Sequence, residues 1–195
     1  MPIPLEDRDA LIIVDVQNDF LPGGALAVSE GNAVLPLLNG YIALFERRGL
    51  PIFATRDWHP GNHCSFRALG GPWPSHCVAF SRGAAFAADL QLPCSAVVVS
   101  KAQTAERDAY SGFEGTELEA LLRARGASRL LVGGLATDYC VLNTVRDSLS
   151  RGFQVLLLTD AIRAVNVNPG DGDRALSEMV ALGAQPLTLR ELACA

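Results

Sequence analysis

All three histidines of this 195-residue chain, His59, His63 and His76, fall in one irregular, Gly- and Pro-rich segment at about 57–89. Asp57, His59 and His76 offer one carboxylate and two imidazoles. That borderline ligand set suits one divalent transition metal such as Zn, with Fe and Mn also accepted, and leaves positions open for water or substrate. It is the pattern of a working metal rather than a closed structural one. Two blander readings stand beside it. The histidines cap loops, or the His63–Cys64 and His76–Cys77 pairs form a structural zinc site, although their spacing is not that of the usual finger.

A second group of residues fits nucleophilic chemistry. The run GGLATDYCV, ending at Val141, follows an apolar stretch and opens a helix, which exposes Cys140 beyond a sheet edge. A helix N-terminus lowers a thiol pKa and offers backbone N–H groups to an oxyanion. The alternative for Cys140 is a small buried hydrophobe, the reading kept for Cys64, Cys77, Cys94 and Cys194. A nucleophilic thiol needs a proton acceptor, and Asp15 supplies one at the end of another apolar run. Lys101, the only lysine of the chain, balances the charge of a buried acid.

These residues require elements to hold them. Short β-branched or Leu-rich runs read as strands at Ala10–Val16, Pro51–Thr55, Ala96–Ser100, Arg129–Gly133 and Gln154–Thr159, with a weaker one at Gln185–Leu189. Helical periodicity predicts helices over Asn32–Arg48, Glu117–Arg125, Tyr139–Arg151 and Asp173–Leu182, each followed by or ending just before a glycine. Thr116 with Glu119 has capping-box spacing. Strand and helix therefore alternate, which predicts a three-layer α/β fold: a mostly parallel central sheet of about six strands with helices on both faces. Ligands of such sheets collect beyond the strand carboxyl ends, where Asp15, Asp57, Lys101 and Cys140 all fall. A single domain over 1–195 is expected, with 57–89 as a metal-binding insertion.

Composition removes other functions. Apolar residues make up 49% and charged residues 19%, so the chain folds, and a formal charge of −5 provides no field for phosphate backbones or anionic lipid. No nucleic-acid or membrane partner is expected. The longest apolar runs fall well short of the roughly 20 residues a membrane helix needs. Acidic residues before the first apolar run argue against a secretory signal, and five cysteines, an odd number, are read as thiols; both predict a cytoplasmic protein. No phosphate-binding glycine motif follows the first strand.

With these residues in view, the chain resembles the nicotinamidases of the isochorismatase-like cysteine hydrolase superfamily. The resemblance spans nearly the whole length: DVQNDF (Asp15–Phe20) with GGALAV, RDWHPGNHCSF (Arg56–Phe66), WPSHCV (Trp73–Val78), Lys101, DAYSGFEG (Asp108–Gly115) and GLATDYCV (Gly134–Val141). It implies hydrolysis of nicotinamide to nicotinate and ammonia in NAD salvage, by the trio Asp15, Lys101 and Cys140. It further implies metal ligation by Asp57, His59 and His76, with His63 at a position that ligates in some members only. A cis peptide between Leu135 and Ala136, an oxyanion hole from the Ala136 and Cys140 N–H groups, and substrate contacts from Phe20, Trp73, Tyr110 and Leu135 are also implied. A homo-oligomer is expected. Ala102 departs from the glycine that many members carry after the lysine. The competing readings are a related amidase acting on a carbamoyl or ureido compound, and a non-catalytic metal-binding module.

Overall fold

The computed structural model describes residues 3–192. The centre is β1 (Asp9–Val14), whose six residues are all buried, because β-branched and Leu side chains on both faces leave it no solvent side. It pairs in parallel with β2 (Ile52–Asp57) on one flank and β4 (Arg129–Leu135) on the other. Outside these lie β3 (Val97–Lys101), then β5 (Gln154–Arg163) and β6 (Gln185–Leu187). The sheet is wholly parallel, in the order β3-β2-β1-β4-β5-β6. Alternate β1 residues serve opposite layers. Leu11 and Ile13 join the core under α1 (Val34–Arg48), while Ala10, Ile12 and Val14 join the core with α2 (Leu118–Ala124), α3 (Leu142–Ser150) and α4 (Asp171–Ala181). No helix among the described residues is long and apolar enough to cross a membrane.

Strand register places the chemistry. Val14 pairs with Thr55 and with Gly134, and Asp57 pairs with Lys101, so four strands end along one edge. At Gly134 (φ 123°) β4 runs so close to β1 that a Cβ would lie 2.1 Å from the Val14 carbonyl oxygen, which only glycine permits.

Local differences from the sequence reading have physical reasons. The first helix begins at Val34 after a 3₁₀ turn over Gly31–Ala33, which keeps Pro36 in the first α-helical turn, where its missing N–H costs nothing. The Thr116–Glu119 capping box does not form. Thr116 Oγ1 instead donates to the Gly112 carbonyl, and Glu119 is drawn to Arg123 and Arg151. The fifth strand runs on to Arg163, because its ladder to β4 shifts register between Val132 and Gly134 and then resumes. Between β2 and β3 the chain has no α-helix or sheet strand, and the irregular stretch extends past residue 89 to Ala96. It is tied down by isolated bridges between Gln17 and Phe86, His59 and Val78, and Phe66 and Trp73.

At the far end of β1 and β4, Arg129 grips both Asp9 oxygens at 2.6 and 2.7 Å, with Glu6 and the Pro4 carbonyl each at 2.8 Å. Arg129→Met leaves Asp9 buried without its cation. We expect a loss of about 2 kcal/mol in urea denaturation, below the roughly 3–5 kcal/mol of a wholly dry pair because Glu6 is half exposed. An unchanged urea midpoint would show the fork to be dispensable.

Candidate active site

Asp15 follows β1 in a left-handed conformation (φ 49°), which aspartate tolerates better than most residues. Its carboxyl is fully buried. One oxygen, Oδ1, accepts a 2.7 Å hydrogen bond from Thr55 Oγ1 on β2. Lys101, the last residue of β3, is equally buried. Its Nζ donates to Asp57 Oδ1 (2.5 Å), the Ala109 carbonyl (3.0 Å) and Cys140 Sγ (3.5 Å). Asp15 Oδ2 lies 3.0 Å from the same nitrogen in a fully buried ion pair, and among the described residues no other group satisfies it. A carboxylate oxygen of Asp15 and the Cys140 sulfur lie within 4.8 Å of each other. The carboxylate is thus placed to take a proton from a thiol.

Cys140 lies in a π-helical turn, Thr137–Val141, that leads from β4 into α3. The Leu135–Ala136 peptide before the turn is cis, and the Ala136 carbonyl accepts from the Tyr139 and Val141 N–H groups. The thiol does not behave as a helix N-terminus alone would dictate. Burial pushes its pKa well up; Lys101 offsets part of this, and the Asp15 and Asp57 carboxylates add to it. Cys140 therefore rests as a thiol and requires a base. Burial likewise raises Asp15, against the pull of Lys101, which suits it to accept a proton. Burial alone would lower Lys101, but Asp15 and Asp57 hold it well above the ordinary lysine value, so the ammonium stays charged.

Beside this group, one atom each of Asp57, His59 and His76 lies within 4.8 Å of the others, all three residues being buried. His59 Nδ1 is 3.1 Å from the Ala102 carbonyl and His76 Nδ1 is 2.8 Å from the Pro74 carbonyl. A carbonyl can only accept, so both Nδ1 atoms carry the proton and both Nε2 lone pairs are free. His59 is pushed down to about 3 by burial and by His63 and His76, so its imidazole stays neutral. One carboxylate and two oriented neutral imidazoles fit a divalent transition metal.

His63 is not brought into that group. Its ring stacks on His59 at 4.0 Å, and its nitrogens are taken by Ser65 Oγ (2.8 Å) and the Arg107 carbonyl (3.0 Å). Pairing of His63–Cys64 with His76–Cys77 around a zinc has no support either, since neither cysteine belongs to the cluster.

A pocket lined by Asp57, His59, His76 and Cys140 opens over both groups. Phe20, Trp73, Tyr110 and Tyr139 form much of its wall, and Trp73 Nε1 donates to the Tyr110 hydroxyl (3.0 Å), fixing two of the rings. Rings on several sides of it suit a single flat ring. Leu135 does not line it; as the last residue of a doubly covered strand, its side chain is fully buried in the α1-side core.

Several contributors escape the sequence reading. Leu26, Asp108, Ala109, Tyr139 and Val165 line the pocket. All but Val165 fall within, or next to, the conspicuous motifs; Val165 has no sequence signal. Gln17 is buried and braces the metal side: its Oε1 accepts from the Asp57 N–H, and its Nε2 donates to the Asp57 and Ala84 carbonyls. Asp19 accepts from the Cys77 N–H next to His76. Their place in DVQNDF was a signal without a partner until the fold was known.

Comparison with known proteins gives consistent matches. Residues 9–191 match the family model described as the isochorismatase domain. A protein named nicotinamidase from Escherichia coli is 40% identical over 203 residues, covering 93% of this chain and 95% of that protein. A pyrazinamidase from Pyrococcus horikoshii, solved in complex with zinc, superimposes with a TM-score of 0.89 at 50% identity, covering 93% of this chain and 99% of that one. A protein from L. infantum solved in complex with nicotinate gives 0.92 at 38% identity over 99% of both chains.

Proposed function

Since the chain belongs to the isochorismatase domain family, we propose that it hydrolyses nicotinamide to nicotinate and ammonia in NAD salvage, through a thioester on Cys140. The observation that supports this most is the buried Asp15 carboxylate, ion-paired to Lys101 and within 4.8 Å of the Cys140 sulfur, which itself lines an aromatic pocket. Asp15 takes the thiol proton and the sulfur attacks the carboxamide carbon, forming a tetrahedral intermediate. The Ala136 and Cys140 N–H groups receive its oxyanion. Asp15 returns the proton to the amide nitrogen, the C–N bond breaks and ammonia leaves. Asp15 then removes a proton from water, whose oxygen attacks the thioester, and the proton passes to the departing sulfur as nicotinate is released. Lys101 remains charged throughout and keeps Asp15 ionised between steps.

Phe20, Trp73 and Tyr110 hold the pyridine ring flat. Asp57, His59 and His76 would hold the divalent metal, zinc in this proposal; when bound it offers a Lewis-acid contact for the ring nitrogen. His63 supports His59 by stacking. Orientation of this kind is worth several kcal/mol. The aromatic pocket and the metal cluster beside it favour a pyridine carboxamide over a carbamoyl or ureido compound. The workplace proposed is the cytoplasm.

The test is ammonia release from nicotinamide, with and without prior chelation. Metal-replete protein is expected to release ammonia, the chelated and dialysed form to lose about 100-fold or more, and added zinc to restore the rate. No ammonia from the metal-replete form overturns the substrate assignment, whereas full activity after verified metal removal overturns the ligand assignment.

A further inference from the structure

Val165 is the pocket residue farthest from any motif, in the loop between β5 and α4, and the way that loop is held is specific. Asp138, two residues before Cys140, accepts the Val165 N–H on Oδ1 at 2.9 Å and the Asn166 N–H on Oδ2 at 2.8 Å. Both carboxylate oxygens thus grip successive backbone donors. Asn166 is left-handed (φ 54°), a conformation that persists where surroundings fix it, and its Oδ1 in turn accepts from Gly172 N–H at 2.8 Å. Gly172 lets α4 start against the loop, since a Cβ there would meet the Ala164 Cβ at 2.6 Å. The loop's remaining side-chain hydrogen bonds stay within 166–174; among the described residues only Asp138 joins it by side-chain hydrogen bonds to the turn bearing the nucleophile, where Val165 also packs against the core.

We propose that Asp138 is a positioning residue for substrate binding, holding Val165 as the aliphatic wall of the pocket that also contains Cys140, Trp73 and Tyr139. This deepens the nicotinamide reading and rests on it. Val165 has no polar group to offer, so its contribution is shape: it closes the space beside a flat ring. Two charge-assisted hydrogen bonds keep it there. Without them the loop relaxes outward, and the ring loses a wall while the trio of Asp15, Lys101 and Cys140, which Asp138 does not touch, stays assembled. The signature is therefore a change in KM rather than in kcat, and it must travel through Val165.

The experiment is a double-mutant cycle on the full-length, metal-replete protein, read by ammonia release. Asp138→Ala and Val165→Ala are each expected to raise KM for nicotinamide about tenfold while kcat falls less than about threefold. The double variant should be no worse than the poorer single, because the second change removes what the first has already displaced. Asp138→Asn, which keeps one acceptor, should fall between wild type and Asp138→Ala and covers the case in which the alanine variant fails to fold. Calorimetric binding of nicotinamide in the Cys140→Ala background checks that KM follows affinity. Additive KM effects, or a fall in kcat with KM unchanged, overturn the proposal. A wild-type chain that releases no ammonia from nicotinamide is a separate failure, read before any variant is made, and takes this assignment down with its premise.

Discussion

Cys140→Ala is expected to lower ammonia release from nicotinamide by at least about 10⁴-fold while nicotinamide still binds, because the loss of a nucleophile removes the reaction path and not the pocket. The sulfur is small and nine-tenths buried, so its removal leaves Phe20, Trp73 and Tyr110 in place. Cys140→Ser is expected to be almost as inactive. A hydroxyl is a poorer nucleophile than a thiol, and Asp15, tuned by burial and Lys101 to take a thiol proton, is too weak a base for it. Rapidly quenched wild-type reactions should carry an acyl group on Cys140, visible by intact-protein mass spectrometry and absent from both variants. Turnover of the alanine variant at the wild-type rate would remove the thioester from the account.

Much of this site is legible in the sequence, for a reason that parallel α/β topology supplies. Each strand has one carboxyl end, all those ends lie on one edge, and a polar residue there is conspicuous against apolar runs. Asp15, Asp57 and Lys101 stand out in this way, and Cys140 stands out because a glycine-rich turn separates its strand from its helix. What is not legible depends on distances between elements. Nothing in DVQNDF says that Gln17 faces the backbone of Asp57 from forty residues away. Equally, nothing in the triad of histidines says that both His63 nitrogens are already occupied. The thiol illustrates the limit best. Position before a helix predicts a lowered pKa, but burial beside two carboxylates reverses the sign, and burial is a property of the assembled layers. Leu135 fails for the complementary reason: its backbone lies next to the nucleophile turn while its side chain belongs to the core. Val165 is reached only because β5 continues beyond the bulge, which no local pattern announces.

Lys101→Met is expected to be the most damaging change to stability and to lower the rate as well. The ammonium lies 2.5 Å from Asp57 and 3.0 Å from Asp15, and all three side chains are buried or nearly so. Removing one partner of a buried charge cluster leaves the acids uncompensated, at about 3–5 kcal/mol. The pH dependence identifies the cause. Asp15 already stands above the ordinary carboxylate value through burial, with Lys101 the largest influence holding it down, so without Lys101 it moves further up. A carboxyl raised on folding binds more protons folded than unfolded, and its contribution to stability is lost as pH rises through the folded value. Lys101 itself, raised on folding, stabilises wild type below its unfolded value and ceases to do so only in strong alkali. The difference between wild type and variant should therefore shrink as pH is lowered, compared at pH 8 and pH 5, as Asp15 in the variant takes up a proton. Urea denaturation at the two values, with chelator present in both proteins, measures it. A protonated Asp15 is no base, so ammonia release should fall by about 10²–10⁴-fold even where the variant is folded. A stability difference independent of pH, or a variant that retains its rate, would mean that Lys101 is not what keeps Asp15 ionised beside the thiol.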